Sequence, residues 1–491
     1  MVAGLSPLFK QHRLWYDLVL TIARPDFKII CLPAETGRTE EAACLTVEPD
    51  RYTQDLLWTL ESDPGQARSI IYGLQWFAFS AINVAIIPIV IGPYLGLDQA
   101  GVAELAQRSF FFVGIASLIQ VMLGHRYPII EGPAAHLWAL TINLGAMTAA
   151  AGNSFALLRS DLAGMMIVCG ALIFILGLTG AVGKLMRLFT PLVTGVVMIL
   201  LCVQLSGPLV GGLINFSVEG GSRDFYQLIA GLAVIITVVL VSMKAPTLIR
   251  SLNVLIGLAV GWAVHIALVG EPPALIETAA FALPRLFAWG LPTFNPGIII
   301  TGIVVYLVLL ANLIASVAAM ENATGKEAGK DEYNRAVIYN GISNLLAGTA
   351  ASLGTVAFSA STGVVKLSGV AARKPFIIGC LLLIILGFFP PAGIIAAAVP
   401  RPVGYALLIA VFTQILLVGL KQLTLIKLDQ RDSFVLGISI IFGAGINALP
   451  PGALDGLPEL AQYIVGNAMV MGTIIALLLE HLALPKRQNP S

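Results

Sequence analysis

Charge is what this chain has least of. Of its 491 residues only 11% are Asp, Glu, Lys or Arg, where a soluble protein carries about 25%. The 28 Lys and Arg and 27 Asp and Glu cannot coat a 51.8-kDa body, which excludes an ordinary soluble enzyme. A formal net charge of +1 with no basic stripe also excludes a nucleic-acid partner. Cysteine is scarce as well: Cys31, Cys44, Cys169, Cys202 and Cys380 form no CxxC pair and have no histidine at zinc spacing. Neither a disulfide framework nor a metal site is expected, and the three cysteines in apolar stretches read as small packing residues. There is no HExxH, no Ser–His spacing, no Asp dyad and no P-loop, so neither an intramembrane enzyme nor an ATP-driven pump is indicated.

What is present is apolar. Hydrophobic residues make up 57% of the chain, and mean hydropathy is +0.90. The first 69 residues hold most of the early charge, and their one apolar run, 14–23, is too short to span about 30 Å of hydrocarbon. That run fits an interfacial helix, and residues 1–69 read as a cytoplasmic tail. From residue 70 apolar segments recur at 70–92, 105–124, 134–151, 162–183, 188–206, 225–242, 252–270, 299–323, 333–348, 359–371, 375–389, 402–419, 433–449 and 463–482. With an even number of crossings and both ends inside, Lys and Arg number fifteen on the inner side. The outer side has only Arg108, Arg159, Arg223, Arg285 and Arg401. This asymmetry is the positive-inside pattern. The expected fold is an all-α polytopic protein of the cell membrane, with a transporter domain over 70–483 and a short cytoplasmic tail at 484–491.

Two spans are irregular. The third opens on Tyr127-Pro128-Ile129-Ile130-Glu131-Gly132-Pro133, and the tenth on Ser352-Leu353-Gly354-Thr355-Val356-Ala357-Phe358. In each, an extended stretch precedes a half-length helix, and such backbone is tolerated at membrane depth only inside protein or beside a wet cavity. Spans three and ten are equivalent if fourteen spans form a 7+7 inverted repeat, and matched interruptions point to a transporter's binding site. Two half-helix N-termini would then face one another and suit a carbonyl, a deprotonated ring or an anion.

The chain resembles the xanthine/uracil permease family. The resemblance rests on Gly73-Leu74-Gln75-Trp76-Phe77, the 128–133 stretch, Ala311-Asn312-Leu313-Ile314-Ala315-Ser316, Asn340-Gly341-Ile342-Ser343-Asn344, and Ser359-Ala360-Ser361-Thr362-Gly363-Val364-Val365. It implies a core domain of spans 1–4 and 8–11 (about 70–183 and 299–389). It also implies a gate domain of spans 5–7 and 12–14 (about 188–270 and 402–482). The implied activity is secondary transport of uracil, xanthine, urate or a similar base, coupled to a proton or sodium ion, by sliding of core against gate, often in a dimer formed through the gate. No other cofactor is implied. Sulfate-permease and bicarbonate-carrier relatives of the same fold make an anion the alternative substrate.

By that resemblance the substrate site maps to Ala135, Asn312, Ser316, Phe358, Ser359, Ala360 and Ser361. The family's usual carboxylates of spans eight and ten correspond to Asn312 and Ala360, and Asn312 does not titrate. A shifted register would bring Glu321 to the site instead. With those acids missing, Glu131 and His136 are the ionisable pair beside a half-helix start and the candidates for coupling. Glu131 is either a proton acceptor or an N-terminal cap or partner of Arg126; His136 shares the proton or simply packs. Gln75 and Asn83 either touch substrate or bond between helices. The hydroxyls of Ser359, Ser361 and Thr362 cap the half-helix or bind substrate, and Lys366 snorkels or serves as a counter-ion.

Overall fold

A computed structural model describes residues 56–483 apart from 215–220, 247–249, 251, 271–276, 451 and 455. The run 14–23, Cys31, Cys44 and the tail 484–491 lie outside the described residues.

The apolar runs become helices whose ends are set by local chemistry. Helix α1 (Gln66–Ile91) is followed by α2 (Gln99–Met122), capped by the Asp98 carboxylate, which accepts from the Gly101 N–H. Strand β1 (Glu131–Pro133) leads into the half-helix α3 (Ala135–Ala150). Then come α4 (Phe155–Thr179), capped by Ser154, the short α5 (Val182–Met186), α6 (Pro191–Ile214), α7 (Gly221–Lys244) and α8 (Asn253–Val269). Helix α9 (Pro296–Thr324) has Asn295 as its cap with Pro296 in the first turn, and α10 (Lys330–Thr349) precedes β2 (Thr355–Ala357). The second half-helix, α11 (Ala360–Ser368), ends on left-handed Gly369. The remainder is α12 (Arg373–Leu386), α13 (Pro390–Ala397), α14 (Arg401–Thr424), α15 (Gln430–Asn447), α16 (Glu459–Val465) and α17 (Ala468–Leu478).

A helix occupies each of the fourteen expected stretches, and the fourth begins at Phe155, earlier than expected, because Ser154 caps it. Among the described residues, seven helices are long and apolar enough to cross a membrane, or up to eight if α12 and α13, bent by 88°, form one span. The others fall short for physical reasons. Half-helices α3 and α11 begin only after a strand, and α10 opens with Lys330, Asp331, Glu332 and Arg335.

Helices α1, α2, α12 and α13 pack together, and α4 lies along α10 and α9. Elsewhere α6 packs on α14, α15 and α17, while α7 packs on α8 and α14. The α4–α10 approach is backbone to backbone. A Cβ at Gly170 would lie 2.7 Å from the Leu345 nitrogen, and one at Gly341 would lie 2.5 Å from the Phe174 nitrogen. Gly257 and Gly261 similarly seat Val238 and Val234 between α8 and α7, as the GxxxG step suggests.

Part of the stretch assigned to a featureless tail belongs to the fold. Trp58 bridges Val370 in parallel, its N–H donating to the Gly369 carbonyl at 3.2 Å and its carbonyl accepting from Ala371 at 2.9 Å. Glu61 pairs with Lys326 and Asp63 with Lys374, each at 2.8 Å. Residues 56–63 thereby clip the far end of α11 and the loop after α9.

Candidate functional site

The two extended stretches do more than precede half-helices: they pair. Strands β1 and β2 run antiparallel with Glu131 opposite Ala357, Gly132 opposite Val356 and Pro133 opposite Thr355. The pairing continues outward, Phe358 N–H donating to the Ile130 carbonyl at 2.9 Å and Ala134 N–H to the Gly354 carbonyl at 2.9 Å. Because the strands are antiparallel, α3 and α11 leave this ribbon in opposite directions, each with its N-terminus at the ribbon. The Phe358 ring covers Gly132, where a Cβ would sit 2.3 Å from the ring; only glycine admits this contact.

A two-stranded ribbon inside a membrane protein leaves outer-edge groups without partners. Side chains supply them. On β2, the Asn344 amide mimics a third strand: its Oδ1 accepts from Thr355 N–H at 3.0 Å, and its Nδ2 donates to the Thr355 carbonyl at 3.0 Å. Asn340 Nδ2 adds a bond to the same carbonyl at 3.2 Å. The Ala357 carbonyl accepts from Ser316 Oγ at 3.0 Å and from Asn312 Nδ2 at 3.4 Å. On β1, Glu131 N–H donates to Ser117 Oγ at 2.9 Å, and Ile130 N–H donates to Ser361 Oγ at 3.1 Å.

The expected site residues gather at this ribbon with different exposures. Ser359 and Ala360 are exposed, Ala135, Phe358 and Asn312 are half-buried, and Ser316 and Ser361 are buried and committed to main-chain bonds. The N–H groups of Ala135, His136, Ser359 and Ala360 open the two half-helices and are bonded to nothing else among the described residues. Ser359 makes no capping bond through its hydroxyl, and Thr362 Oγ1 is buried without a partner. The open end therefore offers main-chain donors, the free Asn312 Oδ1, the Phe358 ring and the small Ala135 and Ala360. That combination suits a flat heterocycle bearing carbonyl groups.

Several expected placements are corrected. Glu131 is not at a helix N-terminus; it lies in β1, four residues ahead of α3, wholly buried between α2 and α10. It does not meet Arg126, whose carbonyl instead accepts from Arg373 Nε at 2.7 Å. Nor does it pair with His136, whose two ring nitrogens are buried and unbonded. Its partner is His125, Nε2 to Oε1 3.6 Å, a residue that the sequence reading passed over because it sits in the polar turn after span two. Glu321 is held at the end of α9 by the Ala328 N–H and by Tyr333 Oη at 2.9 Å, away from the ribbon. Asn83 returns a bond to the Phe79 carbonyl at 2.7 Å, and Gln75 is half-buried without a hydrogen bond. Lys366 is exposed in the last turn of α11. Glu480 is buried 3.8 Å from Arg431.

An apolar multi-helix body with an interrupted-helix ribbon at its centre is the architecture of a membrane permease. The chain belongs to the xanthine/uracil permease family: the family model, described as "Permease family", matches residues 67–452. It is 30% identical over 430 residues to Bacillus subtilis YwdJ, provisionally named a purine permease, covering 86% of this chain and 97% of that one. It is 25% identical over 430 residues to the uric acid permease PucK of the same organism, covering 86% and 96%. Among solved structures it is similar to the transmembrane domain of the cyanobacterial bicarbonate transporter BicA. The TM-score is 0.51 at 15% identity, over 86% of this chain and 99% of that one, a likeness of fold. The protein is thus a multi-pass membrane permease for a small molecule.

Proposed function

We propose that the chain is a secondary active transporter of a nucleobase-like heterocycle, of the uric acid, xanthine or uracil type, coupled to a proton or sodium ion. The observation that carries this reading is the open end of the β1–β2 ribbon. There, four unpaired N–H groups and Asn312 offer donors and an acceptor beside the Phe358 ring. Ring carbonyls would accept from the helix N-termini, a ring N–H would donate to Asn312 Oδ1, and the ring plane would stack on Phe358. Similarity to purine and uric acid permeases supports the same substrate class.

The wider scheme is proposed with it. Fourteen spans form a 7+7 inverted repeat in the cell membrane with both termini cytoplasmic. The core, carrying the ribbon, slides against the gate, and two copies associate through the gate domain. Support for the division comes from the packing groups, whose helices pack more closely within each group than across it. Gln204 on α6 reaches the Ala139 carbonyl of α3 at 3.4 Å and the Met469 N–H of α17 at 2.9 Å, and Trp138 meets Phe412 edge to face.

An anion is the second reading, favoured by two helix N-termini with no acid at the open end. Thermal unfolding of the purified protein against uric acid, xanthine, uracil, bicarbonate and sulfate tests both. Ligand at 100 times its Kd adds about 2.7 kcal/mol. A shift with one heterocycle, reduced by Asn312→Ala, is expected; shifts with anions alone would overturn the nucleobase reading.

A further inference from the structure

A deeply buried ionisable cluster lies against β1 of the ribbon. Glu131 and His125 are 0% and 1% exposed, and neither Glu131 Oε1 nor His125 Nε2 has a hydrogen-bond partner although they face each other at 3.6 Å. The donors around them have a fixed direction. Tyr306 Oη donates to Asn344 Oδ1 at 2.9 Å, Asn344 Nδ2 to Asn340 Oδ1 at 3.2 Å, and Asn340 Nδ2 to Glu131 Oε2 at 3.1 Å. The chain ends on the carboxyl group. Tyr127 N–H donates to His125 Nδ1 at 3.0 Å, which places the neutral ring's proton on Nε2, pointing at Glu131.

Among the described residues, no other charged side chain pairs with this cluster. Helix α2 faces it with Ser117 and Gln120, the latter bonded to the Ala336 carbonyl and the His125 N–H; α10 supplies Asn340 and Asn344, α9 Tyr306, and β2 only main chain. Arg108 of α2 is spent on Glu104 and the Ala351 carbonyl, Arg335 of α10 on Glu332, and Arg68 of α1 lies over the half-buried Trp58 ring. A bare carboxylate here would be a buried charge without a cation, a costly state that one proton abolishes.

We infer that Glu131 Oε1 carries the coupling proton and that His125 Nε2–H senses its presence, moving the β1–β2 ribbon with it; this rests on the reading of the chain as a cation-coupled carrier. When Glu131 is protonated, its O–H and the histidine N–H are two donors facing each other, and they stand apart at the 3.6 Å observed. When the proton leaves, the carboxylate accepts from Nε2–H, and the pair closes to a hydrogen bond of about 2.9 Å. Glu131 is the register partner of Ala357, whose carbonyl is held by Asn312 and Ser316. The displacement therefore reaches the substrate-facing residues through one rung of the ladder. The proton enters from water on one side of the membrane, binds Oε1, and leaves to water on the other; no bond of the substrate changes.

The test uses the full chain in proteoliposomes with an entrapped pH dye and uric acid as the probe, plus difference infrared spectra of the substrate-free protein across a pH step. Wild type is expected to accumulate uric acid in response to an inward proton gradient, to acidify the lumen as it does so, and to show a buried-carboxyl band. Glu131→Gln should lose that band and the gradient response, with a far smaller loss of zero-gradient exchange. His125→Phe should shift the band and flatten the pH profile of uptake. Gradient-driven accumulation equal to wild type in Glu131→Gln would overturn the inference. If wild type carries none of uric acid, xanthine and uracil, the nucleobase reading fails, while the infrared arm still decides the proton site: a band lost in Glu131→Gln, or shifted in His125→Phe should the glutamine variant not fold, supports it, and no such band refutes it.

Discussion

Replacing Asn344 with leucine keeps nearly the same volume and shape but removes the amide that stands in for a third strand. Two buried donors would then lose their only acceptor: Thr355 N–H, now 3.0 Å from Oδ1, and Tyr306 Oη, now 2.9 Å from it. The Thr355 carbonyl would survive the change, because Asn340 also donates to it. Each orphaned buried donor costs about 1–3 kcal/mol, so Asn344→Leu should destabilise the protein by about 2–6 kcal/mol. Asn83→Leu is the matched control: Asn83 only returns a bond within its own helix, and its loss should cost under about 0.5 kcal/mol. Scanning fluorimetry of the two variants in the same detergent and at one scan rate compares them directly, since unfolding of such a protein is a kinetic measurement. Unfolding of Asn344→Leu at the wild-type temperature, or an equal loss in Asn83→Leu, would refute the account of how the ribbon edge is satisfied.

Three further outcomes follow from the packing and the clip. Gly341→Ala should separate α4 from α10, since its Cβ would meet main-chain atoms that cannot rotate away; a loss of about 1–3 kcal/mol is expected in the same assay. Gly437→Ala, with nothing within 4 Å of the added carbon, should instead be neutral or stabilising by up to about 1 kcal/mol. At the clip, the hydrogen bond from Lys326 holds the Glu61 carboxyl below its ordinary range, and that from Lys374 does the same for Asp63. A depressed folded-state value means a contribution present at neutral pH and lost as pH falls through it, below about 4. The protection factors of the Trp58 and Ala371 amides, which carry the bridge, should fall on acidification below that point and with added salt; protection unchanged at both would overturn it.

Much of the architecture was legible because a bilayer imposes strong rules on composition. Long apolar runs and sparse charges determine helices with no knowledge of what touches what. Even the interruptions at 127–133 and 352–358 were visible, since Pro, Gly and β-branched residues spoil a helix locally. Asn312, Ser316, Phe358 and Ser359 to Ser361 were found as a group through co-linear motifs, and the ribbon gathers them. What each does within that group was not legible. That Ser316 and Ser361 are spent on main-chain carbonyl and amide groups, leaving Asn312, Phe358 and the helix N-termini open, depends on which atoms fall within 3 Å across the fold. The partner of Glu131 shows the same divide. Sequence alone grouped Glu131 with His136 as the ionisable pair beside the half-helix start, or offered Arg126 as its salt-bridge partner. Yet β1 places Glu131 on an extended backbone, and the turn after α2 brings His125 to it. Composition and periodicity act one residue at a time and were sufficient for a polytopic membrane protein; the co-linear motifs added the resemblance to the permease family. Pairings such as Asn344 with Thr355, or His125 with Glu131, join residues by packing, and only the tertiary structure decided them.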